Sequence, residues 1–144
     1  MINDITVRKA EIADIPQLIK MNDEFNGPGA TFESMKNSLE NNKGEIVFVA
    51  AYNGNAIGFV CGQLYQSICY HDGFQCELTE LFISQKYRRM GIATMLVNHL
   101  EGEFTRNSGK EIILKTGNDN TRAQAFYESL GYHKFDEVLY FKEL

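Results

Sequence analysis

Glu77-Leu-Thr-Glu-Leu-Phe-Ile-Ser-Gln-Lys-Tyr-Arg-Arg-Met-Gly-Ile-Ala93 reads as a strand, a short loop with three basic residues, a glycine and the start of a helix. The helix is announced by Ile92, Met95, Leu96, His99 and Leu100, which recur at helical spacing. Backbone N–H groups at a helix start lack intrahelical partners and lie at the positive end of the helix dipole. Gly91 permits close backbone approach, and Lys86, Arg88 and Arg89 add side-chain charge. The junction suits an anion such as phosphate, although on its own it reads equally well as a solvated basic turn before an ordinary helix.

Working outward, the strand of this junction extends over Phe74 to Ile83 and follows two other apolar, β-rich segments, Glu45 to Tyr52 and Ala56 to Leu64. Asn53-Gly54-Asn55 between those two supplies the positive φ angles of a tight hairpin, so the three strands form an antiparallel meander. Downstream, Ser108-Gly109 stops the helix and Ile112, Ile113 and Leu114 make a compact strand of buried type, the arrangement of a parallel crossover. Upstream, Ile5 to Arg8 is a short strand, and Asp14-Ile15-Pro16 opens a helix with Asp14 as its N-cap. Asn26-Gly27-Pro28-Gly29 breaks the chain before a second helix over Thr31 to Leu39, with Thr31 and Ser34 as caps. Thr121 to Leu130 is a further helix ended by Gly131, and Val138 to Lys142 is expected as a last strand. The fold class is mixed α/β of the α+β type: a central mixed sheet, an antiparallel N-terminal meander, a parallel crossover in the second half, and helices on both faces.

The 144 residues are 44% hydrophobic and 23% charged, which fits one domain over 1–144 with room for a sizeable core. The longest apolar runs, such as Ile46 to Tyr52, fall far short of the roughly 20 residues of a membrane span, and early charges at Asp4, Arg8 and Lys9 argue against a signal peptide. A net charge of -5 disfavours nucleic acid as a partner. Cys61, Cys69 and Cys76 lack the pairing of a zinc site and read as reduced thiols of a cytoplasmic protein. His71, His99 and His133 scatter over loop, helix and turn, with His99 expected to be partly buried on its helix stripe; no metal is expected.

The junction resembles motif A of the GNAT N-acetyltransferase superfamily, whose Arg or Gln, two residues, Gly, one residue, then Gly or Ala is matched by Arg88, Gly91 and Ala93. Asn120, Ala123, Phe126, Tyr127 and Gly131-Tyr132 resemble that family's motif B, about 30 residues further on. The two motifs in order are far more specific than either alone. The resemblance implies acetyl-coenzyme A as cosubstrate, with its pyrophosphate on the turn formed by Arg88, Arg89, Met90, Gly91, Ile92, Ala93 and Thr94. It further implies that Leu81, Phe82 and Ile83 offer main-chain groups to the pantetheine arm, whose amides can extend a sheet edge as a strand does. Asn120 would hydrogen-bond the same arm, a role compatible with a helix cap. The family's homodimers make a homodimer an expectation to keep.

Acetyl transfer to an amine poses two proton problems. An amine with a pKa of about 10.4 is mostly protonated at neutral pH, and freeing its lone pair costs roughly 4 to 5 kcal/mol. The leaving thiolate gains from a nearby proton donor. The resemblance places Tyr127, which also lines that cofactor arm, as the general acid. It places Glu77 near the start of its strand as a base acting through water, with Glu80 as the second candidate. Strict alternation sets Glu77, Thr79 and Leu81 on one face and Leu78, Glu80 and Phe82 on the other, unless a bulge of the kind common in this family resets the parity. Either carboxylate also reads as a structural partner of a basic residue.

Acceptor pockets in such enzymes are built by the first helices and the loop before motif A, here roughly Asp23 to Phe32 and Tyr65 to Phe74. Asp23, Glu24, Asp72, Tyr65, Tyr70 and Phe74 in those segments favour a small cationic amine as acceptor, such as an aminoglycoside, a polyamine or an amino acid. His71 could line the same pocket. The alternatives are a protein or peptide N-acetyltransferase and a catalytically idle module that senses coenzyme A.

Overall fold

The computed structural model describes residues 2–71 and 73–144; Asp72, one of the expected pocket residues, lies outside them. The chain divides into two compact units, one running to Leu114 and the other Lys115–Leu144.

The first unit is a five-stranded mixed sheet in the order β1-β2-β3-β4-β5. β1 (Ile5–Lys9), β2 (Glu45–Tyr52), β3 (Asn55–Tyr65) and β4 (Phe74–Ile83) run antiparallel to their neighbours, and β5 (Gly109–Ile113) is parallel to β4. The hairpin turn is made as its sequence requires, with Asn53 at φ 51° and Gly54 at φ 80°. Helix α3 (Ile92–Arg106) supplies the crossover from β4 to β5. Its stripe of Leu96, Leu100 and Phe104 is buried, and a Cβ at Gly62 on β3 would lie 2.5 Å from Phe104 Cζ. Burying each such leucine is worth about 1.5–3 kcal/mol. The opposite face is covered from α1 (Ile15–Asn26), whose Leu18 and Met21 pack with Val49, Phe59 and Phe82. Met35 of α2 (Phe32–Asn41) packs against the same cluster.

Local signals explain these ends. Thr31 Oγ1 accepts from Ser34 N–H at 3.0 Å and Ser34 Oγ accepts from Thr31 N–H at 2.9 Å, a reciprocal cap for α2. Asp14 precedes α1 but does not cap it with its side chain. Its carboxylate instead accepts from Glu11 N–H at 2.8 Å and from both terminal nitrogens of Arg8, at 2.7 and 2.9 Å. An ion pair with a buried carboxylate outcompetes a single cap bond. β5 starts earlier than its apolar run, stops before Leu114, and is less buried than expected, because it is the edge of the sheet and Ile113 is exposed.

The second unit holds α4 (Thr121–Ser129), with Asn120 as N-cap accepting from Ala123 N–H at 3.1 Å. Gly131 follows at φ 94°, and Gly131 N–H bonds the Glu128 carbonyl. The strand expected over Val138 to Lys142 is absent: these residues carry no strand pairing. A strand exists only through a partner for its N–H and C=O groups, and these residues pair with none.

Candidate active site

The turn between β4 and α3 is the first component. Arg89 and Gly91 both adopt positive φ, 63° and 80°, which folds the backbone into the helix start. Gly91 is the N-cap of α3 and gives it no side-chain cap, so no cap side chain competes for the first amides of the helix, Ile92, Ala93 and Thr94. Lys86 Nζ sits 4.9 Å from the centre of the Tyr87 ring, Arg88 Nε donates to the Ile83 carbonyl at 2.8 Å, and the exposed Arg89 stands beside them. Unfilled amides at a positive helix end together with three cationic side chains make a site fitted to a phosphate diester or pyrophosphate.

The second component is the edge of β4. β5 pairs with it only over Phe74 to Glu77, so beyond Glu77 the outward edge of β4 has no strand partner among the described residues. Leu81, Phe82 and Ile83 lie in that stretch, next to the anion turn. Main-chain groups on such an edge are open to a molecule with amides of its own. Of these groups the Ile83 carbonyl is already engaged by Arg88.

The third component is a β-bulge. β4 pairs Leu78 with Gly62 and Glu80 with Cys61, leaving Thr79 as the extra residue, its Oγ1 donating to the Cys61 carbonyl at 3.2 Å. Strict alternation would separate Glu77 from Glu80. The bulge puts both on the face covered by α1 and α2, because their partners Gln63 and Cys61 are two residues apart on β3. Asn26 Nδ2 donates to Glu80 Oε2 at 3.3 Å.

On that face lies a cavity of about 240 Å³. Its walls are Leu18 and Asn22 of α1, Ser34, Met35, Ser38 and Leu39 of α2, and Val47 and Phe59 of the sheet. Glu45, Cys61 and Glu80 complete it. Burial, and then the charges of Glu45 and Glu80, push the Cys61 thiol well above its ordinary range, so it is a protonated wall group and not a nucleophile. Glu45 accepts from Ser38 Oγ at 2.8 Å and from Gln63 Nε2 at 3.0 Å. Neither Asp23 and Glu24 nor Tyr65, Tyr70 and Phe74 line this cavity; α2 and the sheet do so in their place. Glu77 shares the face without lining the cavity. Glu45 is the residue that sequence reading missed. Alternation along Glu45, Val47 and Val49 could have put it on one face, but which face depends on cross-strand register.

In the second unit Tyr127 makes edge-on contacts with Phe126 and Tyr132, ring centres 5.2 and 5.7 Å away, and burial raises its phenol above the ordinary value. A phenol held protonated can donate at neutral pH. The Asn120 carbonyl oxygen is used by the helix cap, leaving its amide NH2 for other partners. His99 is exposed, not partly buried as its stripe position suggests: its ring meets the edge of Phe48 at 5.9 Å and Nδ1 lies 2.8 Å from the Met95 carbonyl. Among the described residues no group of three or more His, Cys, Asp or Glu side chains is placed to hold a metal ion, and no helix is long and apolar enough to cross a membrane.

Comparison with known proteins bears on the family and the fold. The family model described as "Acetyltransferase (GNAT) family" matches residues 12–132. The aminoglycoside N(6')-acetyltransferase type 1 of Acinetobacter baumannii is 35% identical over 46% of this chain and 45% of its own. N-alpha-acetyltransferase 30 of Schizosaccharomyces pombe is 33% identical over 65% of this chain and 61% of its own. An aminoglycoside acetyltransferase from an uncultured soil metagenomic sample superposes with a TM-score of 0.84 at 16% identity, covering 99% of this chain and 97% of that one, which makes the fold the same.

Proposed function

The chain belongs to the acetyltransferase (GNAT) family and is an acetyl-coenzyme A-dependent N-acetyltransferase; from this premise we propose that its acceptor is a small cationic amine, attacked directly in a ternary complex. The observation that carries the reading is the acid-lined cavity on the α1 and α2 face, beside the Thr79 bulge. The family match runs from 12 to 132 across the division at Leu114, so both units are read as parts of one catalytic domain.

The cosubstrate, when bound, supplies an acetyl group activated as a thioester. The residues from Arg88 through Thr94 hold its pyrophosphate with backbone amides and guanidinium charge. Leu81, Phe82 and Ile83 offer main-chain groups to its amide-bearing arm, as does the Asn120 side chain. Glu80, the carboxylate that lines the cavity, takes a proton from the acceptor ammonium directly or through water, with Glu77 as its alternate on the same face. The freed nitrogen forms a bond to the acetyl carbon as the carbon–sulfur bond breaks, Tyr127 gives the departing sulfur its proton, and the second proton that the acylated nitrogen sheds passes through water to restore the phenol. A homodimer and a cytoplasmic location accompany this reading as proposals.

The experiment is a thiol-release assay with acetyl-coenzyme A against aminoglycosides, polyamines, amino acids and short peptides. Saturable turnover on a small amine is the expected result. Turnover confined to peptide N-termini would replace the acceptor class, in line with the similarity to the N-alpha-acetyltransferase.

A further inference from the structure

The cavity has a carboxylate at each of two separate places, and only one of them is needed for the chemistry. Glu80 stands at the bulge on β4. Glu45 stands at the start of β2, opposite Gln63, with Val47 and Cys61 between it and Glu80 on the same face. Two strand spacings across and two residues along the sheet put the Cα atoms of Glu45 and Glu80 roughly 12 Å apart. The Glu45 oxygens are positioned by the neutral donors Ser38 and Gln63. Among the described residues neither Glu45 nor Glu80 forms an ion pair. Lys9 and Lys43 line an adjoining cavity that shares Glu45, but Lys9 is paired with Glu103 at 3.0 Å. Besides the two carboxylates the lining is mainly apolar, with Leu18, Met35, Leu39, Val47 and Phe59 outnumbering the neutral polar Asn22, Ser34 and Ser38.

We propose that Glu45 is a specificity-determining residue that holds the second, non-reacting ammonium of the acceptor, and that the acceptor is a short aliphatic diamine or polyamine. The inference rests on the acetyl-transfer reading above. A mainly apolar cavity with acids at two separated places complements a methylene chain with a cation at either end. Charge-assisted contacts of about 2.8 Å at both termini leave a span suited to about four or five carbons. At about 240 Å³ the space is smaller than the ~300–1,000 Å³ of sites for drug-sized ligands, which favours a linear amine over a multi-ring sugar. The remote contact adds binding energy away from the reacting nitrogen, so its loss falls on KM.

The test compares 1,4-diaminobutane with butylamine, which shares the reacting amine and chain and lacks the second charge. Wild-type kcat/KM should favour the diamine by about tenfold or more. Glu45→Gln should erase most of that preference by raising KM for the diamine alone, with kcat retained, and Glu45→Asp should restore part of it. Calorimetric titration of 1,4-diaminobutane into protein saturated with coenzyme A should show the same loss of affinity without any turnover. Equal wild-type use of the two amines, or an unchanged preference in Glu45→Gln, overturns the assignment and leaves acetyl transfer to amines standing. Turnover restricted to aminoglycosides or peptides likewise overturns it. Diamine binding that depends on Glu45, with no amine of any class acetylated, would uphold the site and overturn the acetyl-transfer reading. The wild-type comparison needs no variant, so a misfolded Glu45→Gln cannot shield the proposal.

Discussion

Arg88 Nε donates to the Ile83 carbonyl at 2.8 Å while its guanidinium carbon lies 5.3 Å from the centre of the Phe82 ring, so this arginine ties the last residues of β4 to the turn that starts α3. In the proposed donor site it therefore does more than bring charge: it fixes the backbone whose amides would hold the pyrophosphate. Arg88→Ala should raise the Kd for coenzyme A about tenfold, the scale of one charge-assisted bond, with kcat at saturating donor little changed. Arg88→Lys keeps the charge and loses the planar stacking, so it should fall between. Isothermal titration decides, and an unchanged Kd in Arg88→Ala would remove the residue from the donor site.

Tyr127 is the proposed proton donor, and its half-buried ring with a raised phenol fits that post. Tyr127→Phe removes one oxygen and keeps the ring contacts with Phe126 and Tyr132. Turnover should drop by about 10²-fold or more, the usual size of a lost general acid, with coenzyme A affinity retained. Wild-type turnover in this variant would end the assignment.

The bulge at Thr79 places Glu77 and Glu80 on one face, yet only Glu80 lines the cavity. Glu80→Gln should thus depress kcat/KM at neutral pH more than Glu77→Gln, and should steepen the rise of rate with pH as the acceptor amine comes to deprotonate unaided. A full pH–rate profile for both variants is the measurement. The reverse order would hand the role to Glu77, and slight, equal effects would dismiss both.

Much of this was legible because short-range chemistry decided it. The Asn53-Gly54 step set the hairpin, Thr31 and Ser34 set the start of α2, and β4 occupies Phe74 to Ile83 as its pattern indicates. The turn before α3 was legible because a helix start, a glycine and three cations are contiguous in the chain. What was not legible depended on partners distant in sequence. Glu45 joins Glu80 only through the register of β2 on β3 and β3 on β4. The Asp14 carboxylate left its cap for Arg8, six residues back, and Val138 to Lys142 read as a strand from its apolar residues although a strand also needs a neighbour.

The close approach of α3 to the sheet at Gly62 gives a prediction for stability. A Cβ there would meet Phe104 Cζ at 2.5 Å and Leu100 Cδ1 at 2.7 Å, both on buried side chains. Gly62→Ala should destabilise the protein by about 1–3 kcal/mol through overpacking, and lower Tm by several degrees. Calorimetry would test this; an unaltered Tm would mean that α3 shifts away freely.

Asp14 is 3% exposed, and its partner Arg8 is 34% exposed. Burial works against the Asp14 charge, but the Arg8 hydrogen bonds, the Glu11 N–H and the Arg8 charge together outweigh it and hold the carboxyl below the ordinary aspartate value. The sign follows from linkage. A lowered folded-state pKa means that the unfolded chain takes up the proton first, so the contribution is complete above the ordinary aspartate value and is lost as pH falls through the folded one. Asp14→Asn, which keeps an acceptor for Glu11 N–H, should cost about 1–3 kcal/mol at pH 7, less than a fully buried pair because Arg8 can reach water. Denaturant titrations of both proteins should show that cost shrinking below the ordinary aspartate value, as wild type alone loses the pair. A gap that stayed constant down to the acid transition would mean that the ionised pair contributes nothing to the junction of β1 and α1.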